Sequence, residues 1–153
     1  MHKLVFTFNL LTELPDFIGN LIELRILDLE WNNLTSIPDS IGKLNNLIDF
    51  RLFENEISFL PETFGNLTAL KYLSLDISEL SSFPKSFRNL KNLEWRHLNP
   101  NYSQIIRYIK TLKTVLEDME SKGLKIIYLW NDEWVDVDYI RRTVLYRENK
   151  GRF

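Results

Sequence analysis

One phrase, repeated every 23 residues, dictates what this chain can become. From Leu24 to Leu47 it reads LRILDLEWNNLTSIPDSIGKLNNL, and its columns recur on both sides: Pro15, Pro38, Pro61 and Pro84; Leu21, Leu44, Leu67 and Leu90; Asn9, Asn32 and Asn55. A short fixed period means a solenoid, in which each repeat buries its apolar side against the repeats beside it. The triplets Leu4-Val5-Phe6, Leu27-Asp28-Leu29, Phe50-Arg51-Leu52 and Leu73-Ser74-Leu75 alternate with period two. That is the signature of a short strand with its outer members pointing inward and its middle member outward. Stacked, these strands form a parallel sheet lining the concave side. The Asn column sits where the chain turns inward, and an amide that both donates and accepts can satisfy the backbone of its own and the adjacent turn. Ser78 replaces Asn in the fourth repeat and has less reach. Proline fixes φ and lacks an N–H, which suits the start of a convex turn. Gly19, Gly42 and Gly65 allow tight passage on that side, and Arg88 departs from their column.

These columns resemble the leucine-rich repeats of the short intracellular class found in bacteria and in plant Ras-group proteins, whose phrase ends LPxxIGxLxxL. The resemblance implies an α/β fold, a leucine-rich repeat solenoid with a parallel concave sheet, over residues 1–101 as about four and a half repeats. Met1, Leu24, Leu47 and Leu70 open the first four repeats. Leu93 opens a fifth, in which Arg96 stands where the second Leu belongs before Leu98 and Asn101 restore the pattern. The Leu, Ile and Phe residues of these columns are read as core.

Residues 102–153 follow a different rule. Ile105, Ile106, Tyr108, Ile109, Leu112, Val115, Leu116 and Met119 recur at three-to-four spacing, which predicts a helix from Asn101 to Glu120 with Ser103 as N-cap and Gly123 as stop. Lys125 to Trp130, KIIYLW, predicts a strand. After the polar break Asn131-Asp132-Glu133, a second helix is expected from Asp138 to Arg147. The α-β-α unit is expected to cap the last repeat. This stretch also resembles the closing helix-strand-helix of very-short-patch-repair-like and phage endonucleases: Gly123, Asp132, Glu133 and Trp134 match, and Asn131 replaces the first acid of that phrase. The alternative function it implies is a nucleic-acid-acting unit presented by the repeats, although nothing upstream supplies the rest of a nuclease core.

Composition narrows the chemistry. Hydrophobic residues make up 44% of the chain and aromatics 13%, enough for a packed core. The net charge of -2 predicts no obligatory nucleic-acid or anionic-membrane partner. The absence of cysteine removes disulfides, thiolate zinc sites and the cysteine-dependent ubiquitin ligase activity that some bacterial repeat effectors carry. His2 and His97 have no triad pattern beside them, and no phosphate-binding loop or dinucleotide fingerprint is present. Asp132, Glu133, Asp136 and Asp138 are the one acidic group with the chemistry for a hard cation, and acids are equally at home in a turn and a helix N-terminus. No catalytic residue, metal or cofactor is therefore assigned. The N-terminus has no signal-peptide pattern and no stretch spans a bilayer, so a cytoplasmic protein is expected.

The concave face carries the functional expectation. Its outward columns run Lys3, Ile26, Asp49, Tyr72, Trp95; then Val5, Asp28, Arg51, Ser74, His97; then Thr7, Glu30, Phe53, Asp76, Asn99; then Phe8, Trp31, Glu54, Ile77, Pro100. Aromatics and Arg are the usual anchors of interfaces. The expected site is accordingly Asp28, Glu30, Trp31, Asp49, Arg51, Phe53, Tyr72, Asp76, Trp95 and His97, binding a protein or peptide without catalysis. Arg51 and Phe53 point outward and are expected to be dispensable for folding. The first turn, with Met1, Leu4, Phe6, Leu11 and Leu14, lacks a cap, and homodimerisation through it is expected.

Overall fold

Proline sets the convex side. With φ between -72° and -63°, Pro15, Pro38, Pro61 and Pro84 lead into the 3-10 turns Asp16–Asn20, Asp39–Lys43, Glu62–Asn66 and Lys85–Asn89. The computed structural model describes residues 1–76, 80–81, 83–99, 127–130 and 133–136, the last three strands by backbone path and register.

Opposite the 3-10 turns run the strands β1 (Lys3–Val5), β2 (Ile26–Asp28), β3 (Asp49–Leu52), β4 (Tyr72–Asp76) and β5 (Glu94–Asn99). They form one parallel sheet in sequence order. Register follows the repeat, with Leu4, Leu27, Phe50 and Leu73 in one row and Val5, Asp28, Arg51 and Ser74 in the next. Between sheet and turns lies the core: Leu24, Leu27, Leu29, Leu47, Phe50, Leu52, Leu70, Leu73 and Leu75 are fully buried. Phe64 and Phe87 occupy the convex column that Ile18 and Ile41 hold earlier. Phe50, Phe64 and Phe87 stack in series at 5.9 Å between centroids. Burying each such side chain contributes roughly 1.5 to 3 kcal/mol.

The asparagine column works as its position predicts. Asn55 Nδ2 donates to Leu29 O of the preceding repeat at 2.9 Å and to Leu52 O of its own at 3.0 Å, while its Oδ1 accepts from Leu34 N at 3.0 Å. Asn32 repeats the pattern with Phe6 O, Leu29 O and Leu11 N. The glycines face the next turn. A Cβ on Gly42 would stand 2.5 Å from the backbone oxygen of Thr63, so the spacing between coils there is set by the missing side chain. The rung expected to be weak, at Ser78, lies outside the described residues.

Two expectations are corrected at the C-terminal side. β5 is one residue longer than β4, and the register shifts between Leu73 and Ser74: Tyr72 pairs with Glu94, Leu73 with Trp95, and Ser74 with His97. Trp95 therefore takes the row of the inward leucines instead of joining the Tyr72 column, and Arg96 is the extra residue of the bulge. The displaced leucine is explained by this insertion. Further on, Ile127–Trp130 is a strand (β6), but Glu133 does not belong to a polar break. It begins β7 (Glu133–Asp136), which pairs antiparallel with β6 from Trp130↔Glu133 to Ile127↔Asp136. The expected single strand is a hairpin, whose two-residue connection suits tight pairing. β6 contacts β5, so the hairpin adjoins the last strand of the solenoid. The helices expected at Asn101–Glu120 and Asp138–Arg147 lie outside the described residues.

Candidate functional site

Each of the first three strands ends in a backbone reversal that turns the Asn inward and throws the residue before it outward. Phe8, Trp31 and Glu54 make that reversal with φ of 55°, 60° and 54°. Bulky L-residues avoid this left-handed region, at a cost of roughly 1 to 2 kcal/mol each. Neighbouring coils hold the conformation in place. Trp31 N donates to Phe53 O at 3.0 Å, and Trp31 O accepts from Asn9 N at 3.2 Å. The strain sits at positions where Asn or Gly would be relaxed, and it persists because the neighbouring coils over-determine the conformation.

The outcome is an aromatic ledge along one rim of the concave face. Phe8 and Trp31 stack at 5.3 Å with 11° between planes, and Phe53 meets Trp31 edge to face at 6.2 Å. Such pairs contribute about 0.5 to 1.5 kcal/mol each, which offsets part of the strain. Phe8 nevertheless remains 74% exposed and Trp31 45%. Beside the ledge opens a groove of about 470 Å³ whose lining includes Phe8, Leu10, Trp31, Asn33, Glu54 and Glu56.

The centre of the face is already committed. Arg51 Nη2 lies 2.7 Å from Asp49 Oδ2 and Nη1 lies 3.3 Å from Asp28 Oδ2, with Nε bridging both Asp49 oxygens at 3.2 Å. Asp28 and Asp49 are each only 7% exposed. The hydrogen bonding that Arg51 donates to Asp49 is the main reason the Arg51 pKa is raised, with smaller contributions from the charges of Asp49, Asp28 and Glu30 against the opposing effect of burial. Arg51 is thus a structural counter-ion, and its expected dispensability is corrected: two buried acids depend on it. Glu30 is oriented by Ser74, whose Oγ donates to Glu30 Oε1 at 2.8 Å. Lys71 Nζ stands 5.0 Å from the Tyr72 ring.

Of the expected site residues, the structure brings Trp31 and Phe53 together on the ledge and gathers Asp28, Asp49 and Arg51 into the ion-pair cluster beside Glu30. Asp76 and His97 keep their expected rows opposite Asn99 and Ser74, and Tyr72 stands in the Asp49 row. Leu10, Asn33 and Glu56 were missed. They lie one residue past the Asn position, where period-two reasoning stops and the left-handed turn redirects the chain. Of the first-turn side chains, Leu14 is buried, Leu4 and Leu11 are half-buried, and Met1 and Phe6 are exposed. Among the described residues, no group of three or more His, Cys, Asp or Glu could hold a metal, and no helix is long and apolar enough to cross a membrane.

A parallel sheet closed by 3-10 turns, with an asparagine ladder between coils, defines a leucine-rich repeat solenoid, a class whose extended concave surfaces serve protein binding. The chain belongs to that family: the model of a leucine-rich repeat region matches residues 7–144. It is similar to a solved leucine-rich repeat protein of Leptospira interrogans, with 32% identity and a TM-score of 0.61 over 72% of this chain, and spans 29% of that protein's length. An internalin of Listeria monocytogenes shares the fold at a TM-score of 0.51 and 20% identity, over 65% of this chain and 35% of its own. No curated protein matches the chain.

Proposed function

We propose that the chain is a non-catalytic module that binds a protein or peptide on the concave face and its aromatic rim, inside the cell. The observation that carries this reading is the partly exposed ledge of Phe8, Trp31 and Phe53, the first two of them on left-handed backbone. Aromatics presented on a rigid sheet lose little conformational entropy on binding, which is why they anchor interfaces. The experiment is selection of peptides from a displayed library on the immobilised protein. Selected peptides are expected to lose affinity for Phe53→Ala and Glu30→Lys and to keep it for Phe59→Ala, which lies away from the ledge. Equal binding to all three variants would refute a concave-face site.

Self-association is a second reading, favoured by one observation: β1 is an edge strand, and its last residue Val5 and the following Phe6 are exposed. Light scattering across a concentration series tests it, with Val5→Glu, Phe6→Lys as control. A parent chain that stays monomeric at high concentration excludes it.

A further inference from the structure

The groove beside the ledge has a charge as well as a shape. Glu54 is half-buried and Glu56 exposed, and among the described residues no lysine or arginine pairs with either. Arg51, the cation at the centre of the face, is occupied by Asp28 and Asp49. Next to the two carboxylates lie Phe8 and Trp31, which cover one ring face of each other and are otherwise exposed, and the polar Asn33 completes that side. An aromatic face attracts a cation, and a carboxylate accepts paired N–H donors from a planar fork. One side chain satisfies both at once: a guanidinium stacks flat on aromatic rings and donates in its own plane, which an ammonium cannot do. A volume of about 470 Å³ is in the range of small-ligand pockets and accommodates one long side chain with the backbone that carries it.

We infer that the groove between the Phe8–Trp31 ledge and Glu54–Glu56 is an arginine-recognition site, which anchors an arginine of an extended, basic peptide segment. The inference rests on the reading of the chain as a peptide-binding module and names the chemistry of its partner. The backbone strain at Phe8 and Trp31 then has a purpose, since the left-handed turn is what brings the rings out of the coil to line the groove that the two acids also line.

The test uses the full chain and four immobilised pools of short random peptides whose central residue is fixed as arginine, lysine, citrulline or alanine. Citrulline keeps the planar shape and removes the charge. The arginine pool is expected to retain the protein roughly tenfold better than the citrulline pool, with lysine between them. Trp31→Asn, and separately Glu54→Gln with Glu56→Gln, should each bring the arginine pool down to the citrulline level with the melting temperature unchanged. The glutamate variant alters only groups without ion-pair partners among the described residues, so it reads the site even if the tryptophan variant folds poorly. Equal retention on arginine and citrulline overturns the inference. Peptide binding that survives both variants also overturns it, while leaving the peptide-binding reading intact. Retention on neutral oligosaccharide beads with none on any peptide pool, or no retention at all, overturns both.

Discussion

Arg51 and Asp49, two residues apart on β3 and on the same face of the sheet, form a short ion pair of 2.7 Å, and the same guanidinium reaches across to Asp28 on β2. Alternation along a strand puts i and i+2 side by side, and the repeat puts Asp28 in the row of Arg51 on the neighbouring strand. The cation is one-third exposed, whereas both acids are nearly inaccessible.

Arg51→Ala should therefore destabilise the protein. Breaking a fully buried pair costs about 3 to 5 kcal/mol. With solvent reaching the guanidinium, that figure falls to about 1 to 3 kcal/mol. Adding Asp28→Asn and Asp49→Asn should recover most of the loss. Urea denaturation of the three variants checks this, and an Arg51→Ala protein as stable as the parent would contradict it.

The asparagine ladder predicts a gradient along the solenoid. Asn55→Ala removes bonds to three carbonyls and leaves Leu34 N–H unpaired in the core, at a cost of about 2 to 4 kcal/mol. The Asn9 side chain is exposed and donates only to Phe6 O and Thr7 O of its own coil, so Asn9→Ala should cost less than about 1 kcal/mol. Equal melting shifts for the two would mean that the ladder does not join the coils.

Coil spacing depends on absent side chains. Gly42→Ala would press a methyl against Thr63 O, which is backbone and cannot move aside without the whole coil, so a loss of about 1 to 3 kcal/mol or more is expected. Arg88 occupies the same column exposed to solvent, its Nε donating to Lys85 O at 2.8 Å. Arg88→Ala should change stability by less than about 0.5 kcal/mol.

Acid should weaken the contact between the third and fourth coils. Lys85 N and Ser86 N donate to the Glu62 carboxylate at 3.0 and 3.1 Å, holding its pKa below the ordinary value. A depressed carboxylate pKa adds stability that is present above the unfolded-state pKa and is lost as pH falls through the folded-state value. The stability difference between the parent and Glu62→Gln should thus be largest near neutrality and shrink below about pH 4. A difference that grew on acidification would contradict this sign.

How much of this was legible beforehand follows from where one period governs. The columns at Leu27, Phe50, Leu73, Pro38 and Asn32 are strictly repeated, and each repeated position has the same neighbours, so fold and register were readable. Two places broke the period. At Arg96 the missing leucine signalled an irregularity, but a substitution and a one-residue bulge leave the same trace in a sequence, and only the register distinguishes them. At Phe8, Trp31 and Glu54 the strand pattern ends in a left-handed residue, and bulky side chains there run against backbone preference. The ledge was partly foreseen as outward aromatics. Its groove, with Glu56 and Leu10, was not, because those residues lie beyond the turn. The Arg51 cluster was foreseen as a binding patch for the opposite reason: charges on a concave face look available until their distances to one another are known.

The central claim, a partner seated on the concave rim, is tested most directly by hydroxyl-radical footprinting of the protein with and without a selected peptide. Exposed aromatics provide reporters on both sides: Phe8 and Trp31 on the ledge, and Phe17 and Phe59 away from it, at 66% and 53% exposure. Bound peptide should slow oxidation of Phe8 and Trp31 severalfold and leave Phe17 and Phe59 unchanged. Protection of Phe17 or Phe59 with Phe8 and Trp31 still oxidised at the free rate would contradict the account.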